Sequence, residues 1–486
     1  MRKHLALTPT LTVALAGAAL LSGCNMAPKY VRPAAPVPET TPQGAAYGPE
    51  QGGAVQPAGL AWHDFFTDER LRQLIALSLQ NNRDLRISLA NVEQARAQFK
   101  VQRADLFPTL GANGTATYQR TPAGLGGVAG GTGTGAGAAA GSSTRADIYQ
   151  ANVGVSAWEI DLFGRVRNLT QAAQESYFAS QANRDAAQVT LISQIATGWL
   201  TMAADQDRLN IARETMKAFG QTLDITKSRA KEGIASDLEI KQAQTTYDQA
   251  RSDLASATTA VAQDQNLLNL LAGTTVPAAM LPDGLGTDDA TIANLPANLP
   301  SEVLLRRPDI VSAEHQLRAA NANIGAARAA FFPKISLTAA FGTLSLGLSN
   351  LFGNGSDYWS VAPTASVPIF DFGRNQGNLR YARATYDAMV ATYEKSVQTG
   401  FREVADALAR RGTIDEQLKA QVSLEDASKG AYKIAQARYD EGIDPFLTTL
   451  DSQRSWYTAQ VSLVSTRLER QSNAVELYRA LGGGLK

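Results

Sequence analysis

The chain has 486 residues, 45 basic and 45 acidic side chains, 44% apolar and 7% aromatic residues, and one cysteine. Zero net charge excludes the electrostatic footprint of a nucleic-acid binder. A lone cysteine excludes a disulfide framework and any multi-cysteine zinc site. No window holds the roughly 18 uninterrupted apolar residues of a membrane-spanning helix, so passage through a bilayer would require β-strands.

Residues 1–23 read as a cleaved secretory signal: Arg2 and Lys3, an apolar stretch from Leu11 to Leu21, then small residues. Leu21-Ser22-Gly23-Cys24 resembles the lipobox of bacterial lipoproteins. The resemblance implies that Cys24 carries an S-diacylglycerol and an N-acyl chain such as palmitate, more than one chain being needed for stable anchoring. Asn25 follows, instead of the Asp that the lipoprotein pattern associates with inner-membrane retention. Outer membrane is therefore expected. Seven of the 19 prolines fall between Pro28 and Pro57, and residues 24–60 read as an extended tether from the lipid to the folded body.

The body is one unit written twice. Asp84–Pro108 matches Asp309–Pro333, 225 residues on, and Phe163-Gly164-Arg165 matches Phe372-Gly373-Arg374, 209 residues on. The second offset persists to Gly273 and Gly482. It is shorter because residues 121–144 carry nine glycines in 24 residues, a long flexible loop present in the first copy alone. Repeat 1 spans 61–273, with a helix predicted over 82–107, strands over about 108–119 and 148–163, and helices over 165–231 and 236–272. A linker over 274–306 follows. Repeat 2 spans 307–486, with a helix over 307–332, strands over about 333–345 and 357–370, and helices over 374–440 and 445–481. No proline interrupts Ala123–Val276 or Ile369–Asp444, which permits 67-residue helices roughly 100 Å long.

The strand segments alternate strictly. Ile335, Leu337, Ala339 and Phe341 oppose Lys334, Ser336, Thr338 and Ala340, and Tyr149, Val153 and Val155 oppose Gln150, Asn152 and Gly154. One face is apolar and the other small and polar, as in a sandwich or a transmembrane barrel. Four strands cannot close a barrel in lipid, where an open edge leaves backbone groups unpaired. Two or, better, three chains in a ring would close it. The fold class is thus a membrane β-barrel joined to an α-helical barrel, internally duplicated.

Leu304-Leu305-Arg306-Arg307-Pro308-Asp309-Ile310, with Ala313-Glu314 and Phe332-Pro333-Lys334-Ile335-Ser336-Leu337, resembles the signature of outer-membrane efflux proteins, the TolC-like channels. The lipobox and the terminal Leu481-Gly482-Gly483-Gly484 are similar to the OprM-like lipoprotein branch. The resemblance implies a homotrimer with a 12-stranded barrel, a 12-helix periplasmic tunnel and an equatorial region formed by 60–81, 274–306 and the C-terminal tail. It also implies a passive exit duct for drugs and other small molecules, with a periplasmic adaptor and an inner-membrane transporter of the resistance-nodulation-division type as partners. Export of protein or metal remains an alternative cargo. A periplasmic adaptor or structural lipoprotein is an alternative class, against which the full duplication and the four strands argue.

The hairpin tips, at Gly233 and at Gly442-Ile443-Asp444-Pro445, are where the resemblance implies adaptor docking and a gate. Its acidic and leucine rings fall on Asp451, Leu447 and Glu239. Arg454 stands at i, i+3 from Asp451 and is expected to pair with it, whereas the residues alone allow an ordinary solvated helix face. Pro445 suits the first turn of the returning helix, and a gate role for Asp444 is left open. Asp371-Phe372-Gly373 matches a kinase triplet, but no phosphate loop accompanies it, so a turn is expected. His63 and His315 lack metal-ligand spacing. No catalytic constellation, nucleotide motif or cofactor site other than the lipidated Cys24 is expected.

Overall fold

The structure, a computed structural model, describes residues 25–47, 60–121, 144–286, 290–291, 301–483 and 485. Cys24 and most of the glycine-rich stretch 121–144 lie outside the described residues. The chain divides into two compact units, one formed by 94–177 and 316–389 with the N-terminal segment up to Arg32, the other by 33–93, 178–315 and 390–486.

The first unit holds an antiparallel sheet of β1 (Leu110–Thr121), β2 (Thr144–Glu159), β3 (Lys334–Ser345) and β4 (Asp357–Ser366), in that order. Both repeats thus build one sheet. β1 and β2 pair out to Thr121 and Thr144, so the first hairpin reaches further into the glycine-rich segment than its composition suggests. Paired residues place their side chains on the same face, and the rows separate by chemistry. One row runs Ala112, Val153, Phe341, Trp359, and the row beside it on the other face runs Gly111, Gly154, Ala340, Ser360. Phe341 is 69% and Trp359 73% exposed. An apolar face left open in this way is the lipid side of a barrel wall. On the small face, a Cβ at Gly154 would strike the Ala339 carbonyl, and one at Gly342 the Ala151 carbonyl.

The register of β2 on β3 shifts between Val155 and Trp158. Ala157 sits there at φ 50°, its N–H donating to Thr338 Oγ1 at 3.1 Å, a bulge that no alternation pattern announces. Beyond the strands, Asp161 Oδ2 accepts from the N–H of Arg167 at 2.8 Å, and Asp371 Oδ2 from that of Asn375 at 2.9 Å. The Asp371-Phe372-Gly373 triplet is accordingly the turn that starts a helix. Residues 25–32 do not hang free as a tether. Asn25 Oδ1 accepts from Asn168, the Pro28 carbonyl from Asn321, and Arg318 lies over the Tyr30 ring.

The helices are α1 (Glu69–Asn81), α2 (Arg83–Ala104), α3 (Arg165–Lys231), α4 (Asp237–Ala272), α5 (Pro308–Ala329), α6 (Arg374–Asp440) and α7 (Phe446–Ala480). α2 and α5 stop three residues short of the predicted 107 and 332, because the chain tightens into i, i+3 turns ahead of Pro108 and Pro333. α1 went unpredicted. Asp68 caps it by accepting from the N–H groups of Arg70 and Leu71, and Leu71, Leu74, Ile75 and Ser78 are its buried face. None of the described helices is long and apolar enough to cross a membrane.

The second unit repeats its joints. Asn82 Nδ2 donates to the Leu271 carbonyl at 2.8 Å in repeat 1. Arg307 Nη1 donates to the Ala480 carbonyl at 2.7 Å in repeat 2. Arg307 is 4% exposed and also donates to Asp309 and Glu403, both at 2.8 Å. Segments 60–81 and 290–291 and the C-terminal residues meet at Tyr478, which stacks on Phe65 at 4.0 Å and donates its hydroxyl to the Leu60 carbonyl. The Phe66–Thr291 bridge lies beside it.

Candidate functional site

The two hairpins α3–α4 and α6–α7 turn by the same device. Gly233 and Gly442 both have φ 72°, in the left-handed region. Ile234 and Ile443 each donate at 2.8 Å to a carbonyl five residues back, of Arg229 and Arg438. This is the Schellman closure. A Cβ on either glycine would meet nothing within 4 Å, so the backbone angle alone demands glycine.

The return helices start differently. Ser236 caps α4 in a reciprocal box, in which its hydroxyl accepts from the N–H of Glu239 while Glu239 Oε2 accepts from the N–H of Ser236 at 2.6 Å. Glu239, expected in an acidic ring, is committed to this cap. Pro445 is the residue before α7, at φ −72°, one position earlier than a first-turn proline. Asp444 closes the second tip. Its carboxylate receives Arg438 Nε at 2.7 Å and Nη2 at 2.9 Å, and this guanidinium holds its pKa below the ordinary value. Repeat 1 has Ala235 at the corresponding place. Arg229 there stacks on Tyr439 of the other hairpin at 4.7 Å instead.

That stacking belongs to a lock between the hairpins. Leu223, Ala243, Phe446 and Leu450 form a buried cluster, with Ile240, Tyr247 and Tyr439 packed on it. Further along, Arg454 Nη2 donates to Thr246 Oγ1 at 3.1 Å, and Tyr457 donates its hydroxyl to Asp253 Oδ2 at 3.0 Å. Burial and the Asp253 carboxylate push the Tyr457 hydroxyl up to about 12. It therefore stays a donor throughout the physiological range.

The expected Asp451–Arg454 pair is thus corrected. Asp451 is exposed, and Arg454 reaches across to α4 rather than back along α7. Leu447 is 53% exposed, as are Ile234 (65%), Leu238 (66%) and Ile443 (62%) at the tips. Thr246, Asp253, Arg229, Tyr439 and Tyr457 were missed. Their one sequence signal was spacing, since Arg454 and Tyr457 lie three apart on α7 and Thr246 and Asp253 seven apart on α4. Among the described residues no group of acidic, histidine and cysteine side chains is placed to hold a metal.

A family model described as outer membrane efflux protein matches residues 74–274 and 299–483. The toluene efflux pump outer membrane protein TtgC of Pseudomonas putida is 44% identical over 465 residues, 96% of this chain and 93% of its own length. Outer membrane protein OprJ of Pseudomonas aeruginosa is 41% identical over 471 residues, 97% and 95% of the two chains. Among solved structures, the open state of the Neisseria gonorrhoeae MtrE outer membrane channel aligns with a TM-score of 0.83 at 37% identity, covering 95% of this chain and 99% of that one.

Proposed function

We propose, on the premise that this chain belongs to the outer membrane efflux protein family, that it is the gated exit duct of a tripartite pump. Its sheet and its hairpins serve different steps. One observation carries the reading: a four-stranded sheet exposes an apolar row and two open edges in a chain otherwise built of duplicated helical hairpins. Such a sheet finds its solvent in a bilayer and its missing partners in further copies. Three copies supply 12 strands.

The duct is passive, since energy enters from an inner-membrane transporter through a periplasmic adaptor that engages the tips around Gly233, Gly442 and Pro445. Small apolar and amphipathic organic molecules are the cargo favoured by the relatives, whose names include toluene and antibiotic efflux pumps. Cys24 bears the lipid. Asn25, the next residue in the chain, is held at 2.9 Å by Asn168 in the first turn of α3.

Three Asp451 carboxylates around the axis would form a cation-attracting aperture, with Leu447 as its apolar collar. The lock that keeps this aperture narrow is the pair of bonds from Arg454 to Thr246 and from Tyr457 to Asp253. Opening swings one hairpin from the other and breaks both. In planar bilayers, the double substitution Arg454→Ala with Tyr457→Phe is expected to raise single-channel conductance severalfold. Asp451→Asn is expected to reduce cation selectivity without opening the duct. Unchanged conductance in the double variant would show that the lock lies elsewhere.

A further inference from the structure

Toward the end of α4, well away from the α3–α4 tip, two aspartates come together, one buried and one half-buried. Asp205 on α3 is 9% exposed. Asp264 on α4 faces it closely enough for the Asp205 carboxylate to act on its own carboxyl, and Asp264 Oδ2 is buried without a hydrogen-bond partner. Among the described residues, Arg208 is the cation that reaches them. Its Nη1 lies 2.5 Å from Asp205 Oδ1, while Nη2 donates to Ser465 Oγ of α7 at 2.9 Å.

The charged groups on the neighbouring described elements have partners of their own. From α7 comes Ser465, and Arg467 acts instead on Asp207, whose carboxylate accepts from the N–H of Leu285 at 3.1 Å. From α1, which packs on α4, Arg72 pairs with Glu69 and Arg70 with Asp68 and Asp283. Two carboxylates therefore share a single positive charge in a half-dry environment. A buried acceptor with no donor, placed beside a second carboxylate, calls for a proton.

The duplication supplies an internal control. At the same places 209 residues on, repeat 2 carries Ile414, Gln417 and Asn473. Ile414 is 2% exposed, and Asn473 donates to the Ala407 carbonyl at 3.1 Å. The fold is thus built at these positions without any charge, and the acidic pair is a property that repeat 1 alone has acquired.

We propose that Asp205 and Asp264 hold one proton between them, forming a clamp that ties α3 to α4 in acid and loosens as the surrounding compartment becomes neutral. On loosening, the carboxyl O–H of Asp264 gives its proton to water and no electrons move. The pair then goes from one negative charge to two against the single charge of Arg208. Repulsion between the carboxylates spreads α3 from α4 and weakens the Arg208 tie to α7, so one hairpin of each repeat pair softens while the other keeps its neutral joint.

The direction of the effect follows from linkage. Burial and Asp205 raise the Asp264 carboxyl to about 6, above the ordinary value of about 3.9. Its contribution is complete below about pH 4 and is lost as pH rises through about 6.

The test uses the full-length protein in lipid nanodiscs. Infrared titration should show a protonated carboxyl that disappears between pH 5 and pH 7, that is missing in Asp264→Asn, and that titrates at lower pH in Asp205→Asn. Amide hydrogen exchange over residues 200–210 and 260–268, corrected for intrinsic chemical rates, should lose about tenfold in protection over the same range. Asp264→Asn, whose side-chain amide donates to Asp205 at any pH, should keep the protection of the acid form throughout. The proposal is overturned by a wild-type protein with no titrating carboxyl in this window. It is equally overturned by an Asp264→Asn variant that loses protection with pH as the wild type does.

Discussion

Asp444 lies two residues past Gly442 and Glu239 six past Gly233, and each is spent on a local bond. Glu239 completes a cap with Ser236, and Asp444 takes both arms of Arg438. The Asp444 pair is a pH-dependent element of known sign. A carboxyl held below its ordinary value of about 3.9 contributes fully above that pH and is lost as the pH falls through its lower native value. The amides of Ile443 and Asp444, which both donate to the Arg438 carbonyl, should therefore lose exchange protection as the medium is taken below about pH 4. Asp444→Asn should lose that protection at every pH. A tip whose acid sensitivity is unchanged by Asp444→Asn would assign the effect to another carboxylate. The same residue scale explains why the Asp451–Arg454 pairing was misjudged. An i, i+3 pair on an exposed helix contributes only a few tenths of a kcal/mol, and the Thr246 hydroxyl on the facing helix is a partner that a one-helix argument never sees.

At the scale of elements, the parts that were legible in advance are those written as long-range pattern. Proline-free stretches and glycine at the joints marked α3 and α6, because a helix interior tolerates no proline and its left-handed end favours glycine. Alternation marked β3 and β4. Short elements fixed by tertiary contact were not legible. α1 is only 13 residues long, and the bulge at Ala157 is made by a hydroxyl from the neighbouring strand. Glycine substitutions separate local from tertiary causes. Gly442→Ala meets open space and only pays for its left-handed angle, roughly 1–2 kcal/mol, so the protein should fold with a frayed tip. Gly342→Ala drives a Cβ into the backbone of β2 at Ala151 and Asn152. That variant should fail to form the sheet, seen as loss of the heat-modifiable band in gels. Equal behaviour of the two variants would refute this division. The two faces of the sheet make a second contrast. Phe341→Arg, on the exposed apolar row, should cost about 2–4 kcal/mol near the bilayer midplane. Ser360→Lys, on the small face, should fold normally and shift ion selectivity toward anions. Reversed outcomes would turn the sheet inside out.

For the whole molecule, the open question is how many chains close the barrel, and the sheet constrains the answer. β1 and β4 are its edges, each paired on one side only. Pro363 stands in β4 opposite Leu337, a residue tolerated at an edge but not in the middle of a sheet. In lipid neither edge can stay open, because each unpaired backbone group costs several kcal/mol there. Closure by two copies gives eight strands, a size whose interior side chains fill. Closure by three gives 12 strands and leaves a lumen, which agrees with an inner row of Gly111, Gly154, Ala340 and Ser360 too small to plug it. Native mass spectrometry of the detergent-extracted protein should therefore report three chains, and boiling in SDS should collapse that species to one. Conductance and mass then test each other. A two-chain species that still conducts would break the link between strand number and bore, and a single-chain species would leave the exposed row of Phe341 and Trp359 without the bilayer wall it is argued to form.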